Sequence, residues 1–280
     1  MHREDLQFTS GTDTCAAWLY RPVTDAGARP VPVVVLGIGL GSIRAMGLDR
    51  YAERFAEHGF AALAFDYRWW GDSGGEPRHV IDVPSQLQDW RAAIDFARSL
   101  PGVDPDRVIV WGTSFGGGHA LSLAAQQPAG VVAAVAQCPF TDGIASALAM
   151  SPISALKVGW RAILDIVGSR FGRAPVTVPT AGPPHSGALM TAPDALPGFR
   201  ALLPAQQRDA FANRSSARIG LRIMAYRPGR AIRRTTVPMF AAVCLEDSVA
   251  PPRPTLRHLR RAGAAEFTTY RTGHFAIYLD

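Results

Sequence analysis

Lysine is almost missing from this chain: Lys157 stands alone among 29 basic residues, the rest being arginine. The net charge is +6. The arginines are spread along the sequence rather than gathered in runs with aromatics, which speaks against nucleic-acid binding. The densest group, Arg253, Arg257, Arg260 and Arg261, falls at helical spacing and reads as a solvated helix face. Cysteine is scarce too. Cys15, Cys138 and Cys244 are odd in number and far apart, which argues against a disulfide framework and a zinc site. There is no apolar run of membrane-spanning length, and the opening "MHREDLQFTSGTDTCAAWLYRP" lacks the apolar block of a signal peptide. A cytoplasmic location without membrane contact is the expectation. What remains is a 280-residue chain, 48% hydrophobic, with enough apolar material for a sizeable core.

Apolar strand-like runs alternate with helical patterns, which predicts a mainly parallel, doubly wound α/β sheet. Strands are expected near 15–21, 32–37, 60–65, 107–112, 131–137, 237–243 and 265–270. "LDRYAERFAEHG" and "PSQLQDWRAAIDFARSL" are amphipathic helices closed by Gly59 and by Pro101-Gly102. The rhythm breaks near residue 140 and resumes near 235. The chain therefore divides into a core of 1–139 and 235–280 and an inserted helical, proline-rich cap of 140–234. Such an insertion is a natural lid or binding segment. Its Trp160, Met190, Phe199 and Phe211 are candidates to shape an apolar pocket.

The strongest local signal is "RVIVWGTSFGGGHAL". A buried strand runs into Gly112-Thr113-Ser114-Phe115-Gly116 and then a helix, the Gly-x-Ser-x-Gly arrangement of a nucleophile elbow. A serine hydroxyl needs a base, and the base needs an orienting carboxylate. Among histidines downstream of the cap, His274 in "YRTGHFAIYLD" sits in a loop after the last strand and fits the base. His258 falls in the basic helix and reads as a surface residue. For the carboxylate, Asp247 in "CLEDSVAPP" is the choice, with Glu246 and Asp142 of "CPFTDG" as alternatives. Acyl transfer also needs two N–H donors for the oxyanion. Phe115 offers one, and Leu40 in the loop after an earlier strand offers the other.

That loop, Gly37-Ile38-Gly39-Leu40-Gly41, also invites a dinucleotide reading, with Asp66 at the distance of a ribose ligand. The fingerprint is G-x-G-x-x-G, however, and here the third glycine comes one residue early and no helix starts at once. No diffusible cofactor or metal is implied.

With these residues assembled, the whole chain resembles an α/β-hydrolase. It is similar to the dienelactone-hydrolase and Xaa-Pro-peptidase-like branch, and within it to hydrolases and polyketide acyltransferases of natural-product pathways. The pieces that carry the resemblance are "GLDRYAERFAEHGFAALAFDYRWWGDSGGEPR", "VIVWGTSFGGGHAL", "AQCPFTDG", "LEDSVAPP" and "GHFAIY". The resemblance implies a Ser114, Asp247, His274 triad acting on an ester, thioester or lactone of a small, apolar acyl substrate. Transfer of the acyl group to an alcohol is the alternative, with a peptidase or a non-catalytic binding protein further behind. A homodimer is left open. Relatives usually carry His-Gly where this chain has Ile38-Gly39.

Overall fold

The computed structural model describes residues 2–23 and 29–279. All seven expected strands form, and one more precedes them. In the hairpin β1 (His2–Ser10) and β2 (Asp13–Arg21), Ser10 pairs with Asp13 across a two-residue turn. Gly11 takes its first central position at φ +61°, where a side chain would be strained. Next come β3 (Val31–Gly37), α1 (Leu48–Glu57), β4 (Ala61–Phe65), α2 (Val83–Arg98), β5 (Val103–Thr113), α3 (Phe115–Gln126) and β6 (Val131–Gln137). The sheet resumes with β9 (Met239–Cys244), α8 (Pro252–Leu259) and β10 (Ala265–Tyr270). Between β6 and β9 lie α4 (Gly143–Ala149), α5 (Pro152–Arg170), α6 (Ala195–Ala201), α7 (Ile219–Arg222) and a small antiparallel pair, β7 (Thr177–Val178) and β8 (Ser215–Ser216).

The eight-stranded sheet runs β1-β2-β4-β3-β5-β6-β9-β10, parallel from β4 to β10 and antiparallel at the β1 and β2 edge. This is the α/β-hydrolase architecture. Ala61 through Phe65 and Val33 through Leu36 are buried on both faces, as strands covered by helices on each side must be. In α1, Leu48 and Ala52 turn inward; in α2, Trp90, Ile94 and Ala97 do so, with Asp82 capping the start through Ser85 N–H.

Helix α3 is buried along most of its length, and it carries His119 into the core. The neutral ring is fully bonded: Nε2–H donates to Gln86 Oε1 at 3.0 Å, and Nδ1 accepts from Tyr226 O–H at 2.7 Å. Burial pushes the imidazole pKa down to about 3. The unfolded chain takes up this proton near pH ~6.5 while the folded one refuses it, so stability falls as pH drops below that value. From this one group the slope reaches about 1.4 kcal/mol per pH unit. In His119→Asn, urea unfolding between about pH 6 and 5 should therefore show a shallower pH dependence than in the parent protein.

Candidate active site

Ser114 sits between β5 and α3 with φ +55° and ψ −119°, a conformation that L residues adopt only under constraint. Its neighbours explain how the turn closes. A methyl group on Gly112 would collide with the Gly116 carbonyl, and one on Gly116 would meet the carbonyls of Gly37 and Ile38. The turn lifts the Ser114 hydroxyl off the sheet at the N-terminus of α3, where the helix dipole favours negative charge.

Three side chains from distant parts of the sequence converge here, all buried. Ser114 O–H donates to His274 Nε2 at 2.9 Å, and His274 Nδ1–H donates to Asp247 Oδ2 at 2.7 Å. The other carboxylate oxygen, Asp247 Oδ1, accepts from Val249 N–H at 2.9 Å and Ala250 N–H at 2.6 Å. The turn after β9 thus fixes the carboxylate, the carboxylate fixes the imidazole, and the imidazole faces the hydroxyl.

The alternative acids are placed elsewhere. Glu246 is exposed. Asp142 caps α4 through Ile144 and Ala145 N–H and receives the Arg227 guanidinium on Oδ2 at 2.6 Å. Burial pushes the Asp142 carboxyl up, but Arg227 and the two amides outweigh it and hold the group below its ordinary range. His258 is half-buried rather than a surface residue, and it packs against Gly229. The ribose candidate Asp66 is buried in an ion pair with Arg44 and also accepts Arg44 N–H.

The glycine loop lies directly against the serine. A side chain on Gly39 would begin 3.1 Å from Ser114 Cβ and 3.4 Å from its Oγ. Leu40 and Phe115 both line the cavity at Ser114. Phe115 is the first residue of α3, so its N–H has no carbonyl of its own helix to bond. Ile38 is buried in the core, and its carbonyl accepts from Tyr67 O–H at 3.2 Å. Tyr67 in turn accepts from Trp90 Nε1–H at 3.0 Å, and the Trp90 ring fills the space a Gly37 side chain would need. The loop is held through its backbone, with no polar side chain at position 38. Tyr67→Phe strands the Ile38 carbonyl and the Trp90 N–H in the core. Chemical denaturation should register a loss of about 1–3 kcal/mol.

Sequence reasoning missed this support, because Tyr67 lies 29 residues beyond Ile38, and Trp90 a further 23 beyond Tyr67. Cys138 Sγ, an Asp247 oxygen and a His274 nitrogen come within 4.8 Å of one another. Burial pushes the Cys138 thiol well up from its ordinary value, and His274 Nδ1 is engaged by Asp247, so the trio is a poor metal ligand set.

A cavity of about 650 Å³ opens above Ser114. Phe140, Ile144, Met150, Val158, Met190 and Ile219 give it an apolar wall. Of the four cap residues expected to shape it, only Met190 does. Phe199 is buried against Phe211 instead, and Trp160 faces outward.

Known proteins share this plan. The quorum-quenching protein AidA of Acinetobacter baumannii (strain MDR-ZJ06) is 48% identical over 275 residues, covering 98% of this chain and 88% of AidA. A thiohydrolase of Eupenicillium brefeldianum is 32% identical over 177 residues, 63% of this chain and 54% of its own. The polyketide transferase grgF of Penicillium sp is 32% identical over 161 residues, 57% of this chain and 53% of its own. The crystal structure of the α/β hydrolase GrgF from Penicillium sp. sh18 matches with a TM-score of 0.79 at 24% identity, over 98% of this chain and 91% of that one. A family model described as serine aminopeptidase, S33, matches residues 28–276. The chain therefore belongs to the serine aminopeptidase S33 family of α/β-hydrolases.

Proposed function

We propose that the protein is a serine hydrolase that opens the ester, thioester or lactone bond of a small molecule with an apolar acyl chain. The observation that carries this reading is the Ser114–His274–Asp247 hydrogen-bonded chain at the floor of an apolar cavity. Ser114 Oγ attacks the carbonyl carbon while His274 Nε2 takes its proton, and Asp247 steadies the resulting imidazolium. The carbonyl electron pair moves onto oxygen, where the Leu40 and Phe115 N–H groups receive it. When the intermediate collapses, His274 returns the proton to the departing alkoxide or thiolate, leaving the acyl group on Ser114. Water, deprotonated by His274, then attacks the acyl carbon and releases the acid and free Ser114. With a lactone, the leaving hydroxyl stays tethered to the acyl chain.

The names of the relatives fit this chemistry: quorum-quenching for AidA suits destruction of a small signal, and thiohydrolase suits a thioester. The cavity volume of about 650 Å³ is that of a small-molecule site. A second reading replaces water by an alcohol, giving acyl transfer. The apolar wall around Ser114, which disfavours ordered water, and the polyketide transferase relative support it. Aminopeptidase action needs a carboxylate for the substrate ammonium, and among the described residues no Asp or Glu lines the cavity.

A fluorophosphonate probe tests the reading. It should phosphonylate Ser114 alone, seen by peptide mass spectrometry; a protein inert to the probe would be a binding protein rather than an enzyme.

A further inference from the structure

Helix α5 breaks the usual rule that a surface helix turns its large apolar residues inward. It buries Ser154, Val158, Ala162 and Asp165. Asp165 is neutralised there by Arg218, with Oδ2 2.8 Å from Nε and Oδ1 2.9 Å from Nη2. Outward it presents Leu156, 76% exposed, Trp160, 62% exposed, and, just past its end, Phe171, 75% exposed. Leu148 of α4, 80% exposed, extends the patch towards the cavity. Exposed Lys157, Arg161, Arg170 and Arg173 border it, without an acidic partner among the described residues. The segment that holds this face is also basic as a whole. Residues 140–234 hold 13 of the 29 Lys and Arg but 4 of the 23 Asp and Glu, a net +9 against −3 for the rest.

We propose that this face docks on an anionic lipid surface, with α5 lying flat among the headgroups, and that the substrate's acyl chain enters the Ser114 cavity from that surface. A helix with Trp, Phe and Leu beside Lys and Arg has the composition of an interfacial helix. No described helix is long and apolar enough to cross a membrane, so the contact is lateral. Two observations favour lipid over a second copy of the chain. An isologous pairing through α5 would set the basic border against itself, and like charges across an interface are costly. Ile144, Leu148 and Met224 are exposed and also line the cavity, so a permanent occupant would close its entrance. The proposal reverses the expectation of no membrane contact. Docking stands apart from the reaction, whereas acyl delivery rests on the serine-hydrolase reading.

The test is co-sedimentation of the full chain with vesicles of equal parts phosphatidylcholine and phosphatidylglycerol, and with phosphatidylcholine alone. The protein should pellet with the mixed vesicles and be released by salt. The double variant Trp160→Glu/Phe171→Glu should lower the partition coefficient about tenfold or more. Neither residue lines the cavity, so turnover of a short, soluble ester should be unchanged. Three outcomes would overturn the proposal. The parent protein stays in the supernatant; the variant pellets as well as the parent; or light scattering finds a parent dimer that the variant splits into monomers. Vesicle binding without turnover of any soluble ester would overturn the reaction and leave docking standing.

Discussion

Ser114→Ala should lower turnover of a soluble aryl ester by about 10⁴-fold or more while leaving the fold intact. The change removes one oxygen, the hydroxyl that donates to His274 Nε2 and is the proposed nucleophile. The cavity, the glycine loop and the first turn of α3 do not depend on that oxygen, because Ser114 is held through its backbone. Its N–H donates to the Gln137 carbonyl at 2.9 Å, and its carbonyl accepts from Phe140 N–H at 2.9 Å. Substrate binding should therefore persist, measurable as a dissociation constant close to the parent's. Steady-state kinetics on the purified variant decides the matter, and full retained activity would refute Ser114 as nucleophile.

Asp247→Asn carries the second-largest expected effect, a fall in kcat of about 10⁴-fold with little change in KM. An amide at this position can still accept from Val249 and Ala250 N–H, so the turn after β9 keeps its shape. What is lost is the negative charge beside the imidazole, which in the proposed mechanism steadies the imidazolium, and the acceptor of His274 Nδ1–H. Glu246→Gln, one residue away and exposed, should leave kcat within about twofold. Equal losses in the two variants would mean that the neighbouring charge matters rather than the hydrogen bond to His274.

Much of the fold was legible because its signals are local. Val33 to Leu36 and Ala61 to Phe65 read as strands from apolar runs alone, and Gly112 and Gly116 around Ser114 mark a turn that only small residues can close. The strand β1 escaped because its charged and polar residues mask a sparse alternation, in which, among the described side chains, only Phe8 and Ser10 are buried. In the inserted segment, a helical pattern could be expected, but not which side of α5 is inside. That choice depends on Arg218, which lies 53 residues beyond Asp165 and makes burial of a carboxylate tolerable. Once Asp165 points inward, Trp160 must point out. The support of Ile38 was illegible for the same reason: its partners reach it across the fold rather than along the chain.

The backbone at Ser114 has a consequence for how such a protein ages under mutation. A non-glycine residue held at φ +55° costs of the order of 1–3 kcal/mol, which glycine would largely recover. The most stable form of this turn is thus one without the hydroxyl. Sequence drift governed by folding alone would run downhill toward glycine at this one position. A serine there persists only while some use for its hydroxyl outweighs the thermodynamic gradient against it.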